Sequence, residues 1–164
     1  MTRARRALAV LLATTAAISL AGCTSTVQLD PAPYANDPGC ADVTVRLPDE
    51  LDGQPRRWTN AQATGAWGEP SAVLLTCGVE PPGPSVLPCQ SVGGVDWLID
   101  DTDAPNYSVT TFGRVPAVEV YLDNDVVSSA DVLDSLSRIV SRLPADGATC
   151  LDRPSAGADA AAEG

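Results

Sequence analysis

Asp100, Asp101, Asp103 and Asn106 crowd oxygen donors into seven positions, and Asp96 lies just upstream. Two chemistries use such a set. Asp100, Asp101 and Asp103 are hard ligands of the kind calcium takes, yet they lack the glycine and distal glutamate of an EF-hand loop. Clustered aspartates beside Pro105 also describe an ordinary solvated turn. Asp96 with Asp100, or Asp100 with Asp101, would supply the like-charge carboxylate pair that a hydrolase needs, one group held protonated by the other. On a strand, however, residues four apart stand roughly 13 Å apart, which is a poor start for such a pair. The chain contains no histidine, so the commonest general base and the usual serine and cysteine triads are excluded.

Cations are as scarce as carboxylates are common: ten arginines and no lysine stand against 21 acidic residues. Arg114, between Gly113 and Val115 where two strands are expected to turn, has two open readings. It pairs with Asp96 or another carboxylate and fixes the turn. Alternatively Arg114, with Arg57, forks onto a carboxylate or phosphate of a ligand beside Asp96, while Trp67 or Trp97 supplies a flat apolar wall.

The N-terminus decides where this chemistry takes place. Arg3, Arg5 and Arg6 precede an uncharged run from Ala7 to Leu20, too short for a spanning helix of roughly 20 residues and laid out like a secretory leader. It ends in Leu20-Ala21-Gly22-Cys23, which resembles a bacterial lipobox. That resemblance implies cleavage before Cys23 and a diacylglycerol on its thiol. Cys40, Cys77, Cys89 and Cys150 then remain, an even number in an exported chain, which points to two disulfides. Three pairings are possible. The Gly-Val-Glu-Pro-Pro-Gly-Pro stretch between Cys77 and Cys89 favours a loop folded back on itself, leaving Cys40 to clasp Cys150. With no histidine to activate a thiolate or complete a mixed zinc site, a catalytic or metal role for the thiols is the lesser reading.

Removing residues 1–22 takes three arginines away, and the remaining seven against 21 carboxylates leave a net charge of -14. Such a surface repels nucleic acid and anionic headgroups, so no nucleic-acid partner is expected and the domain should stand off the bilayer. Residues 23–39, rich in Pro, Asn and Asp, read as a flexible lipidated tether reaching roughly 20 to 25 Å. Residues 151–164 read as a disordered tail.

Between these ends, residues 40–150 form one expected domain. Val43, Val45 and Leu47 alternate with polar residues as in a half-buried strand over Ala41–Leu47. Residues 49–70 carry scattered Gly and Pro and read as a folded connection, with Trp58 and Trp67 plugging the core edge. Ala72–Val79 is apolar enough for a central strand. Four prolines between Glu80 and Pro88 exclude pairing there. Val95–Asp100 alternates as a strand after Gly93-Gly94, a bulge or a turn. Tyr107–Phe112 and Ala117–Asp123 read as an antiparallel hairpin. Ser129–Leu143 is the clearest helix: Ser128 caps it, and Val132, Leu133, Leu136, Ile139, Val140 and Leu143 form one stripe.

Four ordered motifs, Trp67-Gly68-Glu69-Pro70, Leu74-Leu75-Thr76-Cys77-Gly78-Val79, Gly94-Val95-Asp96-Trp97 and Thr111-Phe112-Gly113-Arg114-Val115-Pro116, resemble an actinobacterial family of exported lipoproteins catalogued only as a domain of unknown function. The resemblance covers roughly residues 40–150 and implies an envelope location and a small disulfide-bearing domain. It implies no activity and carries over no functional residue.

The expectation is therefore an α+β domain, an antiparallel or mixed sheet of about five strands with one C-terminal amphipathic helix packed on one face. Functionally, a non-enzymatic binding or scaffold module is expected at the outer face of the cytoplasmic membrane, held by its lipid. Its partners would be an envelope protein or a cell-wall precursor, and no cofactor is expected. The alternative is a small envelope hydrolase using paired carboxylates or a calcium-dependent site.

Overall fold

The computed structural model describes residues 25–151. The expected leader, Cys23 and the residues after Leu151 lie outside the described residues. Instead of about five strands, eight form one antiparallel sheet: β1 (Glu50–Leu51), β2 (Gln54–Arg57), β3 (Thr64–Trp67), β4 (Val73–Val79), β5 (Cys89–Val92), β6 (Val95–Asp100), β7 (Asn106–Phe112) and β8 (Ala117–Asp123). Their spatial order is β1-β2-β3-β4-β8-β7-β6-β5. Two short helices accompany them, α1 (Pro38–Thr44) and α2 (Ser129–Val140).

The middle of the sheet follows from period-two patterning. Leu75 pairs with Val120, Val120 with Val109, and Val109 with Ile99. This row faces the core, where Leu75 and Val120 are fully buried. One residue along, Leu74, Tyr121, Ser108 and Asp100 form a half-exposed row on the other face. Val132, Leu133, Leu136 and Val140 of α2 and Cys40 and Val43 of α1 join the buried cluster that includes Leu75, Val109 and Val120. Both helices thus cover one sheet face. As its sequence predicts, α2 starts at Ser128, whose side chain accepts from the Asp131 amide.

The first third of the domain departs from its sequence reading. Ala41–Leu47 is not a strand. Asp37 accepts from the Gly39 amide, Pro38 occupies the first helical turn, and Cys40 and Val43, three apart, are the buried pair. Val45, which a strand would bury with Val43, is 78% exposed. Residues 49–70 contain three strands rather than a connection. Asp52 and Gly53 both take positive φ (47° and 75°) and join Leu51 to its partner Gln54. An Asp-Gly pair fits this two-residue hairpin turn. Gly93-Gly94 does the same between Val92 and Val95, so it is a turn and creates the short β5.

The disulfides are Cys40–Cys77 and Cys89–Cys150, not the pairs favoured from the sequence. Strand order gives the reason. β8, β7 and β6 lie between β4, which carries Cys77, and β5, which starts at Cys89. Four strand spacings are roughly 19 Å, well beyond the ~7 Å that a bridge tolerates between Cα atoms. The proline-rich 80–88 segment therefore carries the chain across the sheet.

Residues 25–37 are not a loose tether. The Arg57 guanidinium donates to the Ser25 carbonyl (2.6 Å) and hydroxyl (2.7 Å). Val27 forms a parallel bridge to Thr59. The Leu29 amide donates to the Asn60 side chain (2.7 Å), and that of Tyr34 to the Gly78 carbonyl (2.9 Å). Ala35 is buried in the core. Gly78 makes room for this strap: a Cβ there would lie 2.5 Å from the Ala35 nitrogen, and its φ of +98° suits glycine.

Candidate functional site

The residues that the sequence offers as one binding site are spread over separate structural roles. Trp67 and Trp97 are fully buried. Their indole N–H groups donate to the Pro48 carbonyl (3.0 Å) and the Ser137 hydroxyl (3.1 Å), respectively. Burial with the single donor satisfied is how tryptophan serves a core, and neither ring can wall a ligand.

Arg114 does not pair with Asp96. Its guanidinium donates to the carbonyls of Leu143 (3.0 Å), Ser141 (3.2 Å) and Gly94 (3.4 Å). These include unpaired carbonyls at the end of α2, which a cation satisfies electrostatically and geometrically. Arg114 thus ties the β7–β8 turn to the helix end. Asp96 instead accepts from the Ser91 hydroxyl and from the Cys150 amide (2.8 Å), docking the C-terminal segment. Arg57 meets Glu69 at 2.7 Å and donates to the Gly68 carbonyl at 3.2 Å besides holding Ser25.

The acidic loop is organised by its own hydroxyl. Asp100 accepts from the Thr102 side chain (2.6 Å) and amide (3.0 Å). These bonds, the side-chain one first, hold its carboxyl below the usual carboxylate range. A hydrolytic pair requires the opposite shift in one member. Among the described residues no group of three or more His, Cys, Asp or Glu could hold a metal ion. Asp100, Asp101 and Asp103 are therefore not gathered into such a group.

A site that the sequence does not single out lies beside β2. A groove of about 650 Å³ is lined by residues including Asp49, Arg56, Arg57, Trp58, Gln62 and Thr64. Arg56 donates one N–H to the Leu47 carbonyl (3.0 Å) and has no carboxylate partner among the described residues. Its other donors are available to a planar anion, which a guanidinium can grip with two parallel bonds. Trp58, expected to plug the core edge, is 79% exposed. The signal for it is Arg56-Arg57-Trp58. Two adjacent arginines ahead of a tryptophan mark this stretch in so acidic a chain, although the Arg57 side chain is only 11% exposed and its guanidinium is taken by Glu69, Gly68 and Ser25.

One eight-stranded antiparallel sheet with two short helices, bound at both ends by disulfides and bearing an arginine–tryptophan groove beside β2, is the class that fold and site define. A family model described as "Protein of unknown function (DUF3515)" matches residues 6–147, and the chain belongs to that family. No curated protein and no solved structure matches the chain.

Proposed function

We propose that this chain is an exported, lipid-anchored binding module of the actinobacterial cell envelope, processed before Cys23 and held at the outer face of the cytoplasmic membrane. The reading is non-enzymatic: the groove takes the anionic group of an envelope molecule, an envelope protein or a cell-wall precursor being the candidate sources. The groove beside β2 carries it. Arg56, without a carboxylate partner among the described residues, and the exposed Trp58 present an anion fork and a flat apolar surface together. Gln62 adds a neutral hydrogen-bonding group to the groove, whereas the buried Thr64 hydroxyl is engaged by Thr59 and the Ala61 carbonyl. The basic leader, the Leu-Ala-Gly-Cys sequence and two disulfides support export and anchoring. The carboxylates that a hydrolase would use favour the alternative less, because Asp96 and Asp100 are held by Cys150 and Thr102.

Mass spectrometry of the native protein tests the anchor, with a diacylglycerol on the Cys23 sulfur expected and a retained leader or an unmodified sulfur overturning it. A photocrosslinker at position 58 in living cells tests the site. A covalent product that disappears in Arg56→Gln is expected; equal labelling in both proteins removes the groove from the reading.

A further inference from the structure

We infer that the groove beside β2 faces the membrane itself, with Trp58 in the headgroup layer and Arg56 on the phosphodiester of a zwitterionic lipid. The inference rests on the anchor at Cys23 and puts the bilayer in place of the two candidate sources named above for the groove's anionic group.

Its geometric basis is the strap. Cys23 lies two residues before Ser25, so at most about 7 Å separates their Cα atoms. Ser25 is held by Arg57, and the Val27 amide donates to the Trp58 carbonyl at 2.8 Å. The lipidated residue therefore reaches the bilayer without a spacer. The edge carrying Arg56, Arg57 and Trp58 is brought to a headgroup layer only roughly 5 to 8 Å thick. A domain on a long tether could turn away; this one is fixed by Ser25 and Val27.

The side chains fit that position. Of the three tryptophans, Trp67 and Trp97 are fully buried and Trp58 is 79% exposed, at the edge nearest the strap. An amphipathic indole settles at the membrane–water interface. Arg56 is suited to a phosphodiester, and Asp49 lines the same groove. A headgroup bearing both a phosphate and an ammonium meets an opposite charge for each. A purely anionic lipid meets Asp49 and the acidic domain, whose charge beyond residue 22 comes from seven arginines against 21 carboxylates.

Trp58 is also the reporter. The native lipidated protein is reconstituted into vesicles of phosphatidylethanolamine and phosphatidylcholine, with and without bromine on the acyl chains near the headgroup. Emission should shift to the blue and be quenched by the brominated lipid, while access of aqueous iodide falls several-fold. Trp58→Phe should abolish these changes, since the remaining rings are buried. Arg56→Gln, checked for an unchanged melting temperature, should weaken the quenching, and phosphatidylglycerol vesicles should give less of it.

If the protein floats with the vesicles but iodide reaches Trp58 as freely as without them, the domain stands off and the inference falls while the anchor survives. Failure to float, with Cys23 unmodified, removes both. Undiminished quenching in Arg56→Gln overturns the headgroup assignment. A soluble glycan or peptide that shields Trp58 without vesicles gives the groove to that partner and overturns the proposal.

Discussion

Both ends of the domain are fastened with the same parts, and the difference between them lies in where those parts sit. At the N-terminal end, Cys40 on α1 bridges to Cys77 on β4, both fully buried, and Gly78 admits the strap. At the C-terminal end, Cys89 on β5 bridges to the half-buried Cys150. There Gly113 admits the returning chain: a Cβ on it would lie 2.0 Å from the Ala148 carbonyl oxygen. Sequence separations of 37 and 61 give similar chain-entropy contributions, about 4 kcal/mol each. Loop length therefore does not distinguish the two ends. Packing does: one bridge lies inside the core, and the other holds a clasp at the edge strand.

The largest expected effect is at the buried bridge. Cys40→Ala with Cys77→Ala removes the cross-link and leaves two voids in the core, costing about 4 kcal/mol of chain entropy plus ~1 kcal/mol or more per sulfur. Such a loss approaches the whole stability of an ordinary domain, so denaturant unfolding should show a largely unfolded protein at 37 °C. A loss no larger than that of the outer bridge would erase the distinction between the ends.

The paired glycines sharpen it. Gly78→Ala places a side chain at φ +98° against the backbone of Tyr34 and Ala35, and Ala35 is itself core, so neither side can move away. A cost of about 2 to 4 kcal/mol is expected. Gly113→Ala meets an even closer backbone atom, but the 144–151 segment can swing outward, and about 1 to 3 kcal/mol should suffice. Hydrogen exchange should distinguish them, with Gly78→Ala loosening β4 as well as the strap and Gly113→Ala loosening only the C-terminal segment.

Cys89→Ala with Cys150→Ala comes next. Although its entropic contribution is as large, the measured loss is limited to the free energy that docks residues 144–151, because that segment can detach while the sheet persists. About 1 to 3 kcal/mol is expected, with new protease cleavage confined to that segment. Global unfolding on limited proteolysis would show that the clasp is part of the core after all.

The same division marks what is legible in the sequence. β6, the β7–β8 hairpin and α2 carry a legible period and β4 a nearly unbroken apolar run, so they stand in the sequence much as they stand in the fold. The region before β4 has no such run. Val43, Val45 and Leu47 imitate a strand because a helical pair three apart and an alternating set share Val43. β1 and β2 are too short to show any period, and only Asp52-Gly53 announces their turn. Pairing of the cysteines depends on β5 lying at the far edge, a property of strand order to which no local residue testifies. The site behaves likewise. Arg114 and Asp96 are visible as charges, but they meet the backbone just beyond α2 and at Cys150, which acquires its position only in the folded chain. Arg56 and Trp58 do not stand out because the short β2 and the residues after it read as a connection.

Acid provides the smallest expected difference, and it should not separate the ends at all. In α1, the Asp42 carboxyl is held below its usual value by the hydrogen-bonded Arg46 guanidinium at 2.8 Å. In the β6–β7 loop, Thr102 does the same for Asp100. A carboxyl whose folded pKa is depressed stabilises the fold above its unfolded pKa, and that contribution is lost as pH falls through the folded value. Both groups are solvent-screened, so their share is small. Asp42→Asn and Thr102→Ala should each leave the melting temperature near pH 7 almost unchanged and flatten slightly its decline below the ordinary carboxylate range. NMR titration of Thr102→Ala should show the Asp100 carboxyl moving back up toward its usual value. A steep acid transition abolished by Asp42→Asn alone would mean that α1 is held by charge as well as by its buried sulfur.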